Sequence, residues 1–87
     1  GMLSTKNLSS VQGLSVYTDA GEFFGIIEEA ILHSNKVDSW KVRSTSKSYL
    51  SKAMPGTKGV ILPHHHVKAI GDVVLISRSA APSMSED

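Results

Sequence analysis

Cysteine is absent from the 87 residues, which excludes a disulfide framework, a thiolate nucleophile and any cysteine-ligated zinc or iron–sulfur site. No apolar run approaches the roughly 18 residues that span a bilayer, and no basic-then-apolar leader opens the chain. A cytoplasmic location is the expectation. Gly1 ahead of Met2 is taken as an expression scar, so the natural chain is expected to begin at Met2. Neither a glycine-rich phosphate loop nor a nucleophile elbow is present, because Gly13-Leu14-Ser15-Val16-Tyr17 lacks the elbow's second glycine. A domain of this length buries only about 60–65% of the surface its unfolded chain exposes, which argues against a deep enclosed active site.

What the chain does contain is typical of one globular domain, with 40% hydrophobic and 20% charged residues. The formal net charge of +1 conceals an uneven distribution. Residues 1–35 carry Lys6 against Asp19, Glu22, Glu28 and Glu29, for −3; residues 36–58 carry six cations against Asp38, for +5; the remainder sums to −1. Such a basic middle can steer an acidic protein surface or a nucleic acid.

Leu14–Tyr17 alternates in the manner of a strand, and Thr18-Asp19-Ala20-Gly21 supplies turn chemistry. In the next segment Phe23, Ile26, Ile27, Ala30 and Ile31 have the spacing of an amphipathic helix. Gly25 and the neighbouring aromatic and β-branched residues favour a strand instead, and a bulge at Gly25 accounts for the three-residue step from Phe24 to Ile27. Local patterning leaves both open.

After a turn at Ser34-Asn35-Lys36, Trp40 and Val42 share one strand face and Lys41 and Arg43 the other. Residues 44–59 are mostly loop by composition, with Tyr49 and Leu50 pinned to the body of the fold or in a short extra strand. Val60-Ile61-Leu62 is a strand stopped by Pro63. His64–Ile70 is expected to be one helical turn or a tight connection, and Val73–Ile76 is the most strand-like window. Ile70 and Leu75 are expected in the core, so that Asp at either position unfolds the domain. Residues 2–77 are assigned to the domain and 78–87 to a disordered tail. Short strands with turn signals about every ten residues describe an all-β fold, a small antiparallel barrel or sandwich with at most a short helical turn.

Gly59-Val60-Ile61-Leu62-Pro63, followed by Val67-Lys68-Ala69-Ile70-Gly71-Asp72-Val73-Val74-Leu75, resembles the closing segment of PRC-barrel domains, especially short single-domain archaeal-type members. Thr18 to Glu29 is similar to the opening hairpin of the same family. The resemblance implies that the ambiguous segment is a strand and the fold a small antiparallel β-barrel. The family also occurs in the ribosome-maturation factor RimM and the H subunit of photosynthetic reaction centres, and archaeal members are linked to adaptor roles, including at the division ring. It implies no catalytic motif, and so a chain that is not an enzyme and needs no cofactor.

Among residues with chemistry, His64-His65-His66 stands out. Three successive histidines fan over about 200° on a helix and alternate on a strand, so at most two reach one metal without distortion. No metal site is therefore assigned, with His64, His65 and His66, helped by His33, as the weaker alternative. Glu28 and Glu29 are expected to point opposite ways on a strand, one solvated and one at the rim, which does not suit paired acid–base work. Lys41, Arg43, Lys47, Tyr49 and Lys52 are the candidate binding residues. With Lys36, Lys58 and Trp40 they have the composition of a nucleic-acid surface, but a solvated face with Trp40 in the core is favoured, as only one Arg and no RNA-binding motif accompany the charge. The expectation is a protein-interaction adaptor in a multiprotein assembly such as the division machinery, possessing a free strand edge suited to a homodimer. An RNA- or ribosome-associated module using residues 36–58 is the alternative.

Overall fold

The computed structural model describes residues 11–80. Six strands form one sheet: β1 (Ser15–Thr18), β2 (Phe23–His33), β3 (Lys36–Arg43), β4 (Gly59–Pro63), β5 (Val67–Ile70) and β6 (Val74–Ile76). Their order is β4-β3-β2-β1-β6-β5. β4 and β5 lie at opposite ends of that order, yet only the 3-10 turn His64–His66 separates them in the chain. Three residues bridge little more than 10 Å, so the sheet must roll until its ends approach. No ladder joins β4 to β5 among the described residues, and the barrel is rolled but not sealed. Every pairing is antiparallel except β1 with β6, which run parallel with Val16, Tyr17 and Thr18 opposite Val74, Leu75 and Ile76.

Thr18–Glu22 forms the first hairpin turn. Buried Thr18 accepts the Ala20 and Glu22 amides on its hydroxyl, each at 3.2 Å, and Gly21 takes the left-handed backbone. The second hairpin turns on Ser34 and Asn35, both at positive φ, the geometry that follows the twist of its strands.

The segment open to helix or strand is β2. Its bulge lies beside Gly25: Val16 pairs with Gly25 and Tyr17 with Phe23, leaving Phe24 as the extra residue. A Cβ on Gly25 would stand 2.7 Å from the Arg43 carbonyl oxygen and 2.8 Å from Val42 Cγ1. Glycine is therefore required where β2 presses on β3. A second bulge, at Glu28 between the Ile27–Val42 and Glu29–Lys41 pairs, puts both glutamates in solvent instead of on opposite faces.

Inward residues Val16, Phe24, Ile27, Trp40, Val42, Leu62, Val74 and Ile76 fill the core, with Val11 at its margin. The loop 44–58 contains a helix that composition did not reveal, α1 (Tyr49–Ala53). Its N-cap, Ser48, is buried and satisfied: the hydroxyl accepts from the Ser51 and Thr45 amides and donates to the Thr45 carbonyl. α1 packs on β2, burying Leu50 and laying Tyr49 against Phe24 with ring centroids 6.3 Å apart.

Two expectations are corrected. Residues 67–70 form an edge strand, not part of a turn, because they ladder with β6. The inward residues of β6 are Val74 and Ile76, while Leu75 is only half-buried and Ile70 is 36% exposed. Val73–Ile76 is apolar throughout, so composition carried no signal of which residues point inward. Arg78–Ala80 form a second 3-10 turn, with Ala80 against the core. The rest of the expected tail, residues 81–87, like the Ser-rich start 1–10, lies outside the described residues.

Asp19 clasps this end of the barrel. Its carboxylate accepts from Lys68 Nζ at 3.0 Å and from the Arg78 amide at 3.1 Å, and its own amide donates to the Ile76 carbonyl. The Lys68 hydrogen bond first, and the Arg78 amide second, hold the carboxyl below its ordinary value of 3.8. A depressed carboxylate contributes stability above its unfolded-state value and loses it as pH falls through the folded one. The gap in thermal midpoint between the natural protein and Asp19→Asn should thus be full at neutral pH and close below about pH 3.8. A gap that persists unchanged at about pH 2.5 would contradict the clasp.

The core assignment predicts that Val74→Asp abolishes the cooperative thermal transition, whereas Ile70→Asp retains it, because only the first buries an unpaired charge. Scanning calorimetry on the two variants distinguishes this pattern from the opposite one.

Candidate interaction site

The alternation of β3 turns Trp40 and Val42 inward and Lys41 and Arg43 outward, as the sequence indicates. Antiparallel pairing then sets Ile61 of β4 opposite Lys41 and Gly59 opposite Arg43. On the other flank, the Glu28 bulge brings a carboxylate to 3.9 Å from Lys41 Nζ. These residues, with Lys58 and Val60, line an open groove of about 540 Å³. Three cations face one carboxylate there. The Lys41–Glu28 pair is half exposed and long, and pairs of that kind contribute about 0–1 kcal/mol, so an incoming carboxylate can compete for the lysine.

Ile61 is 55% exposed at the centre of this surface. Gly59 is present for a steric reason: a Cβ would collide with the Val42 carbonyl oxygen. The backbone of Val42 and Arg43 occupies the place of a side chain there, so β4 lies close against β3 and carries no side chain beside Arg43.

Of the candidates singled out from the sequence, Lys41 and Arg43 line the groove and Lys47, Tyr49 and Lys52 do not. Lys47 is exposed before α1, Lys52 is exposed in its last turn, and Tyr49 is stacked on Phe24. Lys36 sits at the tip of the β2–β3 hairpin, opposite His33. The basic segment is thus dispersed by the fold. Lys58, Glu28 and Ile61 join the site only through strand register, which residue spacing does not encode; the +5 segment charge was the available hint for Lys58.

The histidine triplet forms the corner between β4 and β5. Trp40 Nε1 donates to His64 Nδ1 at 3.0 Å, the rings 6.0 Å apart, and His65 and His66 lie with ring centroids 4.1 Å apart. No group of three metal-ligating side chains occurs among the described residues. No helix among them is long and apolar enough to cross a membrane.

A family model for the PRC-barrel domain matches residues 4–81. The chain belongs to the PRC-barrel family. No curated protein matches the sequence. Among solved structures, the fold is similar to one described as the 16S ribosomal RNA processing protein RimM of Pseudomonas aeruginosa, with a TM-score of 0.60 at 17% identity. That match covers 80% of this chain and 42% of the other, so this PRC-barrel spans less than half of the protein it resembles. At this identity the likeness is one of fold.

His64 gives the indole N–H of fully buried Trp40 its acceptor. His64→Ala should cost about 1 kcal/mol and shift Trp40 fluorescence to longer wavelength as water reaches the indole. Unchanged emission and thermal midpoint would show that the hydrogen bond does not hold the corner.

Proposed function

We propose that this PRC-barrel is a non-catalytic interaction module that docks an acidic segment of a protein partner in the groove formed by Lys41, Arg43, Lys58 and Ile61. The observation that carries the reading is the combination in one open groove of three cations with an exposed isoleucine. Carboxylates answer the first and an aliphatic side chain the second. Such a surface suits adaptor work within a larger assembly, the division machinery being one setting that the family resemblance suggests.

A ribosome- or RNA-associated role is the second reading. Its support is the excess of cations and the likeness to a structure named for 16S ribosomal RNA processing. Against it, Trp40 is committed to the core and Tyr49 to Phe24, so neither offers a ring for base stacking beside the cations. A homodimer through β4 would set Lys41, Arg43 and Lys58 against the same cations; self-association would therefore use the β5 edge.

Lys41→Glu combined with Arg43→Glu should preserve the thermal transition and abolish capture of the partner from host lysate. The pulldown is made at low and moderate salt, with and without nuclease. Proteins that survive nuclease and vanish with the double variant support the docking module. Recovery that disappears with nuclease, and falls steeply with salt, transfers the function to RNA.

A further inference from the structure

The groove runs alongside a strand edge that no other described strand covers. β4 is the last strand in the sheet order and, among the described residues, ladders only with β3. Leu62 is buried and Val60 packs against the core, so the strand is anchored from within while Ile61 faces out. The Ser44 amide bonds the Lys58 carbonyl, so alternate residues of β4 face β3 and Gly59 and Ile61 turn their N–H and C=O groups outward; Pro63, lacking an N–H, terminates the edge. We propose that the partner binds by adding a strand to β4, as an extended segment that carries a carboxylate and an aliphatic side chain two residues apart, on the same face. This deepens the docking reading and rests on it.

Strand spacing supports the assignment. An added strand would lie about 4.8 Å from β4 and roughly 10 Å from β3. Over most strands an intervening side chain would separate the two. At Gly59 nothing does, so Arg43 can reach across the bare glycine toward a glutamate on the added strand, with Lys58 beside it. Side chains on one face of a strand recur every second residue, so the next outward position meets Ile61. Backbone pairing supplies affinity, and the cations select an acidic segment over a second copy of this chain.

The test is an amide NMR titration with the capped peptide Glu-Thr-Val-Thr-Glu, which sets carboxylates and an aliphatic side chain on one strand face. The expected result is saturable shifts at Gly59–Leu62 with slowed hydrogen exchange at Gly59 and Ile61, whose amides face outward, and no binding by the Lys-Thr-Val-Thr-Lys control. N-methylation of one alternate set of peptide amides should weaken binding at least about tenfold and of the other set little, because successive amides of a strand point to opposite sides. Equal tolerance of both sets overturns strand addition while leaving an acidic groove. Failure of the acidic peptide to bind also overturns it; if Lys41→Glu with Arg43→Glu still abolishes partner capture, the docking module stands without it, and if capture is unchanged both fall. Shifts at β4 produced by oligouridylate or by raising protein concentration alone, with none from the peptide, overturn it in favour of RNA or of a second copy.

Discussion

The structure depends on a short connection. β4 and β5 occupy opposite ends of a six-stranded order and are separated by three residues. A flat sheet of that width would hold its ends more than 20 Å apart at ordinary strand spacing. Curling is therefore dictated by the chain, and the concave side has to be filled by what the strands turn inward. Trp40 and Phe24 are the largest of the fully buried residues. Hydrogen-bonding Trp40 to His64 ties the core to the corner that enforces the curl.

Rolling a sheet this small also requires local breaks in pleating. Extra residues occur at Phe24 and Glu28 in β2, at Asp38 in β3 and at Lys68 in β5. Each bends its strand and resets which side chains face the core. Two of them also place charge: the Glu28 bulge delivers a carboxylate to Lys41, and Lys68 reaches Asp19 at the opposite end of the sheet order from β4. The same deviations that close the fold thus set its surface electrostatics.

These breaks explain which parts of the molecule were legible. Beyond the bulge at Asp38, the last residues of β3 alternate between buried and solvated, and Trp40, Lys41, Val42 and Arg43 are read correctly from the sequence alone. β2 carries two bulges, and its broken alternation imitates helical spacing. Only the family resemblance decided it in advance. In β6 the residues are uniformly apolar and their orientation is fixed by parallel pairing to β1, a contact between chain positions nearly 60 apart. β5 has no buried residue, so the pattern that reveals strands is missing. α1 is capped by Ser48, but Ser51 stands where a capping box has Glu or Gln, and a single turn yields too little periodicity to mark a helix. The groove was legible by half, since Lys41 and Arg43 follow from one strand while Ile61, Lys58 and Glu28 require the register of three.

Edge strands are ordinarily protected by charge or proline against pairing with arbitrary chains. β4 has both devices, Lys58 before it and Pro63 at its end, and still exposes Ile61 between them. Leu32 and Ile70 are exposed as well, and what sets Ile61 apart is that it lies among the cations lining the groove. The cations discriminate by sign, opposing basic segments and a second β4 while tolerating an acidic strand. In the docking proposed above, the difference between a protected edge and a selective one is that exposed isoleucine set beside cations.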